Sequence, residues 1–194
     1  MPKIAKIFIA IVSAIFLFLI IFSLLMFFPV KGTIDKTYSG YEIDLTDPSY
    51  AQSCEVSISG VYEHYIVGSK GLGKHDSFDG DVVLPEPYAS EVAGLETDMS
   101  PLLDGCCIWL SYSNWHDFYR HEFISHWIAN MYIRGKFDSF VMAMIDLEES
   151  TYNGKMIVAP AATPEEAWTL YQEYHADEKY QELSLIAAAF DNDK

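Results

Sequence analysis

Charge is missing from the start of this chain. No acidic residue occurs before Asp35, and the 24 residues from Ile7 to Val30 carry no charge of either sign. A helix of that length runs roughly 36 Å at about 1.5 Å per residue, enough to cross a bilayer core of about 30 Å with slight tilt. A buried helix of a soluble core seldom runs so long without a polar face. A cleaved leader has an apolar stretch of only about 7–15 residues and ends in small residues. Here Leu25-Met26-Phe27-Phe28-Pro29 offers no such exit, and no cysteine follows closely enough for a lipid anchor. The segment therefore reads as an uncleaved transmembrane signal-anchor, meeting the lipid bilayer through residues 7–30. Lys3, Lys6 and the terminal amine precede the span, and Lys31 and Lys36 follow it. Positive charge stays on the cytoplasmic side, so the N-terminus is expected inside and the rest of the chain extracytoplasmic.

Basic residues are scarce beyond the anchor. Residues 32–194 hold 9 of the 12 Lys and Arg against all 28 Asp and Glu, a balance of −19. That balance excludes nucleic acid and anionic lipid surfaces as partners of the domain. Cysteine is scarce too. Cys54, Cys106 and Cys107 are the full set, and an odd number leaves at least one unbridged within the chain. A bridge from Cys54 to one of the others and three buried thiols are both compatible with the sequence. Nucleophile motifs are absent: there is no Gly-x-Ser-x-Gly and no Ser-x-x-Lys, and no cofactor motif is complete.

What is present is aromatic and alternating. With 12 Phe, 13 Tyr and 4 Trp, the part beyond the anchor can bury one proper core. Tyr41, Ile43 and Leu45 alternate with polar residues, as do Cys54, Val56 and Ile58; that period of two predicts strands. The apolar phase shifts after Gly60, which predicts a β-bulge there. Phe78, Val82 and Leu84 form the next run. Residues 88–104 look irregular, with one helical turn near Ser90–Leu95. Cys106 to Tyr112 is apolar on both faces, as in a central strand. Trp127–Ile133 and Phe137–Ile145 read as two more strands, and Asn153-Gly154 as a tight turn into a last strand at Met156–Ala159. Thr163-Pro164-Glu165-Glu166 then supplies an N-cap, a first-position proline and a capping-box acid, predicting a helix from Pro164 to His175 with Ala167, Leu170, Tyr171 and Tyr174 on one face. The tail from Ala176 to Phe190 reads as a second helix or a late strand.

Three stretches carry chemistry-bearing residues. Gly68 to His75 nearly matches a phosphate-binding loop, but His75 stands where Ser or Thr would bind Mg²⁺, and a strand follows where a helix is required. A cationic hairpin loop is the simpler account. Asp76, Asp79 and Asp81 lack the order of a calcium loop. His116, His121 and His126 recur every five residues, with Asp117 and Glu122 adjacent. On a helix, His121 and His126 point about 140° apart at roughly 100° per residue, so only a loop brings all three to one metal ion.

The expectation is thus an α+β chain in three parts: a cytoplasmic stub with a transmembrane helix over 1–31, a linker over 32–40, and one acidic, β-rich extracytoplasmic domain over 41–194. The domain should hold about six or seven mainly antiparallel strands with a C-terminal helix packed on the sheet. The leading function is a non-enzymatic, membrane-tethered binding or accessory module with a protein partner at the outer membrane face and no cofactor. Its expected contact residues are Trp115, Phe118, Tyr119 and Trp127. The rival is a metal-dependent hydrolase built on His116, His121 and His126.

Overall fold

The computed structural model describes residues 3–65, 76–99, 107–114 and 125–191. Four helices, α1 (Lys3–Phe27), α2 (Tyr88–Glu91), α3 (Pro164–Ala176) and α4 (Gln181–Asp191), accompany eight strands: β1 (Val30–Asp44), β2 (Ala51–His64), β3 (Ser77–Val83), β4 (Glu96–Met99), β5 (Cys107–Ser113), β6 (Ser125–Arg134), β7 (Ser139–Asp146) and β8 (Thr151–Ala159). All eight belong to one antiparallel sheet in the order β3-β2-β1-β8-β7-β6-β5-β4.

Alternation explains how this sheet is used. Every second side chain points to the same face. One set, including Val56, Ile58, Phe78, Ile108, Leu110, Phe140, Met142 and Ile157, forms the larger buried cluster. The sheet curls around it until its two end strands, β3 and β4, approach one another, and the Tyr112 hydroxyl on β5 donates to the Val82 carbonyl on β3 across the gap. The result is close to a barrel, which protects both end strands from edge pairing. The opposite set, including Ile43, Tyr132, Val141, Ala143, Met156 and Val158, points outward and is covered by α3 and α4 through Ala167, Tyr171, Tyr174, Leu183, Ile186 and Ala187. Burying each large apolar side chain contributes about 1.5–3 kcal/mol, so the strands are held from both sides.

The expected C-terminal helix is present and starts as its sequence dictates. Thr163 Oγ1 accepts from the Glu166 amide at 3.2 Å, while Glu166 Oε2 accepts from the Ala162 amide at 2.7 Å. Ala167, Tyr171 and Tyr174 are buried. Arg134 fixes this helix to the β6–β7 turn, its guanidinium over the Tyr174 ring and 3.1 Å from Glu173. The tail is helical: a short 3-10 turn at Glu178–Tyr180 leads into α4.

Several expectations are corrected. Among the described residues the strands number eight rather than about six or seven. The linker expected over 32–40 is strand. β1 begins at Val30, two residues past α1, and pairs with β2 from Val30↔His64 to Ile43↔Ala51. Its apolar residues are spaced too widely to signal a strand, because only Ile34, Tyr38 and Gly40 of residues 31–40 are buried. The bulge expected at Gly60 does not exist. Register runs unbroken from Ile34↔Gly60 and Gly60↔Gly80. Gly60 is there for close approach: a β-carbon would come within 2.7 Å of Gly80 Cα and 2.8 Å of the Phe78 ring. Cys107–Ser113 is not central but lies one strand from the end of the sheet. Asn153-Gly154 does not close a hairpin; it lies inside β8, where the register against β7 shifts between Ala143 and Ile145 and Gly154 takes φ +82. The hairpin turn comes earlier, at residues 147–150, with Ser150 at φ 56.

α1 covers Lys3–Phe27, so the stretch expected to span through Val30 stops short of it: Phe28 and Pro29 leave the helix and Val30 already pairs in β1. In α1 the apolar residues Ile11, Phe16, Phe18 and Leu24, which point to different sides of a helix, are all exposed. Among the described residues no helix is long and apolar enough to cross a membrane.

Candidate functional site

The helices on the outer face do not reach its far side. α3 and α4 cover outward residues of β1, β8 and β7 and reach Tyr132 and Cys107. Beyond them, the outward positions of β5 and β6 pair as Trp109↔Asn130 and Ser111↔Trp127. Trp109 and Trp127 are 46% and 41% exposed, large values for the largest apolar side chain, which is highly buried on average. Their ring centroids are 6.2 Å apart at 51°. Tyr152 of β8 meets Trp127 edge-on at 6.3 Å.

A buried amide holds the Trp127 and Tyr152 rings. Asn130 is 1% exposed. Its Oδ1 accepts from Trp127 Nε1 at 3.2 Å, and its Nδ2 donates to the Tyr152 hydroxyl at 2.6 Å. Trp127 Nε1 also reaches the Ala129 carbonyl at 3.2 Å. Side chains fixed this way lose little conformational freedom when something docks on them. Burial, then the nearby Glu182 and Cys107, push the Tyr152 phenol up to about 12, so it stays a neutral hydroxyl. The patch is aromatic at its centre, with Glu182 near Tyr152 and Asp98 paired with Ser111 beside it.

Of the expected contact residues, Trp127 lies in this patch. Trp115, Phe118 and Tyr119 fall outside the described residues, as do His116 and His121. His126 is half-buried on β6, opposite Tyr112. Among the described residues no three side chains are grouped to hold a metal ion. The phosphate-loop-like stretch lies within 66–75, also outside them. Sequence reasoning missed Trp109, Asn130 and Tyr152. One signal was available. Cys107, Trp109 and Ser111 share a face at period two, and the serine that follows the tryptophan on that face lies beyond the helical cover.

Two polar clusters lie elsewhere, and both read as structure. At one mouth of the curled sheet, Glu42 is 5% exposed. Its Oε1 accepts from the Tyr50 hydroxyl at 2.7 Å and from Lys155 Nζ at 3.0 Å, and Tyr88 also bonds to it. Burial alone would lower the Lys155 pKa, but the hydrogen bond and charge of Glu42 outweigh it and the ammonium is held above its ordinary value. Cys54 beside this cluster carries a free thiol. Burial, with the Glu42 charge, pushes it up to about 11, which leaves it unreactive as a nucleophile. At the other end, Asp76 accepts from His64 Nδ1 at 2.7 Å, the Tyr65 amide at 2.9 Å and the Tyr62 hydroxyl at 3.0 Å. Burial pushes Asp76 up, but these bonds prevail and hold its carboxyl below the ordinary range. Three donors satisfy a partly buried carboxylate that ties β2 to the start of β3. No nucleophile stands beside the pair among the described residues.

No protein-family model, no curated protein and no solved structure matches this chain.

Proposed function

We propose that this chain is a membrane-tethered, extracytoplasmic binding module without catalytic activity, that α1 is its transmembrane signal-anchor, and that the Trp109–Trp127 patch is the face it offers to a protein partner. One observation carries the binding reading: two tryptophans side by side, each more than two-fifths exposed, with Trp127 fixed by the buried Asn130 and Trp109 packed against it. Rigid, exposed aromatic pairs are the residue type enriched at the centre of protein interfaces. The partner this domain suits is a protein with a basic surface around an apolar patch. The balance of −19 over residues 32–194 would steer such a partner in and repel anionic lipid and nucleic acid.

The tether rests on the charge-free stretch from Ile7 to Val30. A helix apolar on all sides is either deep in a protein core or in a bilayer, and the described side chains of α1 are exposed. β1 follows after Phe28 and Pro29, which would hold the domain close to the bilayer surface. The distribution of lysines about the span favours the outer side for the domain.

Photo-crosslinking tests the binding face. A benzophenone amino acid replaces Trp109 or Trp127 in the full-length chain in intact cells, with Trp168 on α3 as the control position. The expected result is one discrete protein adduct from both patch positions and none from position 168. No adduct from either patch position, or the same adducts from all three, would remove the patch from the account.

A further inference from the structure

The curl of the sheet brings its two end strands together but leaves another edge open. β1 pairs with β2 along its length, yet with β8 only from Tyr41↔Val158 to Asp44↔Lys155. The last backbone bond on that side runs from the Ala161 amide to the Ser39 carbonyl at 3.0 Å. Among the described residues nothing pairs with residues 30–38 there. In an antiparallel ladder a residue's N–H and C=O point to the same side, and the side alternates along the strand. The Ser39 carbonyl faces the β8 side, so the backbone groups of Thr37, Asp35, Thr33 and Lys31 face it too. These four residues are exposed. An open ladder of this kind is a template for another strand.

We infer that this edge pairs with the same edge of a second copy, antiparallel and centred on Thr33. Three observations select this occupant and this register. Edges of the same kind meet when a strand is turned by a twofold axis normal to the ribbon, so two copies pair isologously. With Thr33 opposite the partner's Thr33, Lys31 falls opposite the partner's Asp35 and Asp35 opposite the partner's Lys31, two ion pairs from one register. A register centred on Asp35 would instead oppose two carboxylates, which is destabilising. Length gives the third. Centred on Thr33, Pro29 of the partner copy lies opposite Thr37, so its chain can leave the ladder just before Ser39, where Ala161 takes over. Centring one residue later would drive Pro29 against Ser39, whose carbonyl is already bonded and whose new neighbour lacks an N–H.

The local charge also fits. The domain is strongly acidic, and bodies of like charge repel. Lys31 and Lys36 against Asp35 make the first residues of β1 a place where two copies can approach. Lys31 already meets Glu63 on β2 at 2.5 Å, so in the dimer it would lie between two carboxylates. The pairing depends on β1 alone and not on the membrane reading. If α1 is anchored, the twofold axis lies along the bilayer normal and both anchors enter the same leaflet.

The full-length chain in detergent micelles tests this. Paired residues of such a ladder bring their Cα atoms to about 5.5 Å, within disulfide range. Thr33→Cys under mild oxidation is expected to give a covalent dimer. Its peptide map should show the two copies joined by a disulfide between their substituted positions, distinguishable from any bond of the native cysteines. Sedimentation supplies the second measurement. Wild type and Asp35→Glu are expected to dimerise, while Asp35→Lys, which sets a lysine against Lys31, weakens the dimer about tenfold or more. Asp35 is varied because Lys31 also serves Glu63. A monomeric wild type, an Asp35→Lys chain that dimerises as well as wild type, or a covalent dimer whose bond does not join the two substituted positions would each overturn the proposal.

Discussion

At the scale of single residues, buried polar groups mark where this fold is most easily damaged. Glu42 has its carboxylate against Tyr50 and Lys155 at one mouth of the sheet. Removing one partner of a buried pair leaves the other desolvated and unpaired. Lys155 retains a third of its side-chain exposure, which moderates the loss. Glu42→Ala is expected to cost about 2 kcal/mol, read as a lower urea midpoint at unchanged slope. The titrating groups also set the limits of stability in pH. Asp76 has a folded pKa below its ordinary value. It contributes stability above the unfolded carboxyl range, and this is lost as pH falls through the folded value. Lys155 and Tyr50 are held above theirs, Tyr50 chiefly by its bond to Glu42. Their contribution is complete below about pH 10 and is lost as pH rises through the folded values. Melting temperature followed against pH should fall at both ends, and Asp76→Asn should flatten the acid limb alone. An unchanged acid limb in Asp76→Asn would place the acid sensitivity in other carboxylates.

At the scale of elements, legibility followed periodicity. α3 could be read from its cap, proline and apolar spacing, because each signal is local. Thr163→Ala tests the cap directly and should cost about 1 kcal/mol, measured by thermal unfolding. The sequence reads residues 32–40 of β1 as a linker and only its end, with Tyr41 and Ile43, as a strand. The first ten residues of β1 expose most of their side chains, and what makes them a strand is pairing with β2, which single-residue composition does not report. Gly60 was misread for a related reason. A glycine at a change of phase suggests a bulge, but this one lies opposite Gly80 under the Phe78 ring. Its purpose appears only when two strands are aligned. Gly60→Ala should therefore be far worse than a surface substitution: its β-carbon would collide with the Asp79 carbonyl. Forced repacking of this kind costs about 1–3 kcal/mol, and the check is chemical denaturation beside Gly32→Ala, where nothing lies within 4 Å of the new methyl.

At the scale of the whole molecule, one sheet uses both of its faces. Its concave side is filled by its own side chains, and its convex side is covered by α3 and α4 only part of the way. The uncovered part holds Trp109 and Trp127. Of the candidate site, Trp127 alone is among the aromatic residues the sequence points to; Trp115, Phe118 and Tyr119 lie outside the described residues. Trp109, Asn130 and Tyr152 were not legible, since strands distant in sequence bring them together. Trp109→Ala with Trp127→Ala should leave the melting temperature within a few degrees, as both rings are half in solvent, while abolishing partner capture. A large loss of stability in that double variant would make the pair part of the core instead.

The tether is the premise on which location and partner both depend, and extraction of membranes tests it most directly. Membranes from cells making the full-length chain are washed with alkaline carbonate and sedimented, and the N-terminal peptide is identified in each fraction. The account expects the intact chain in the pellet, with its domain digestible by protease added to whole cells. Intact chain recovered in the supernatant, with residues 1–29 still attached, would contradict it.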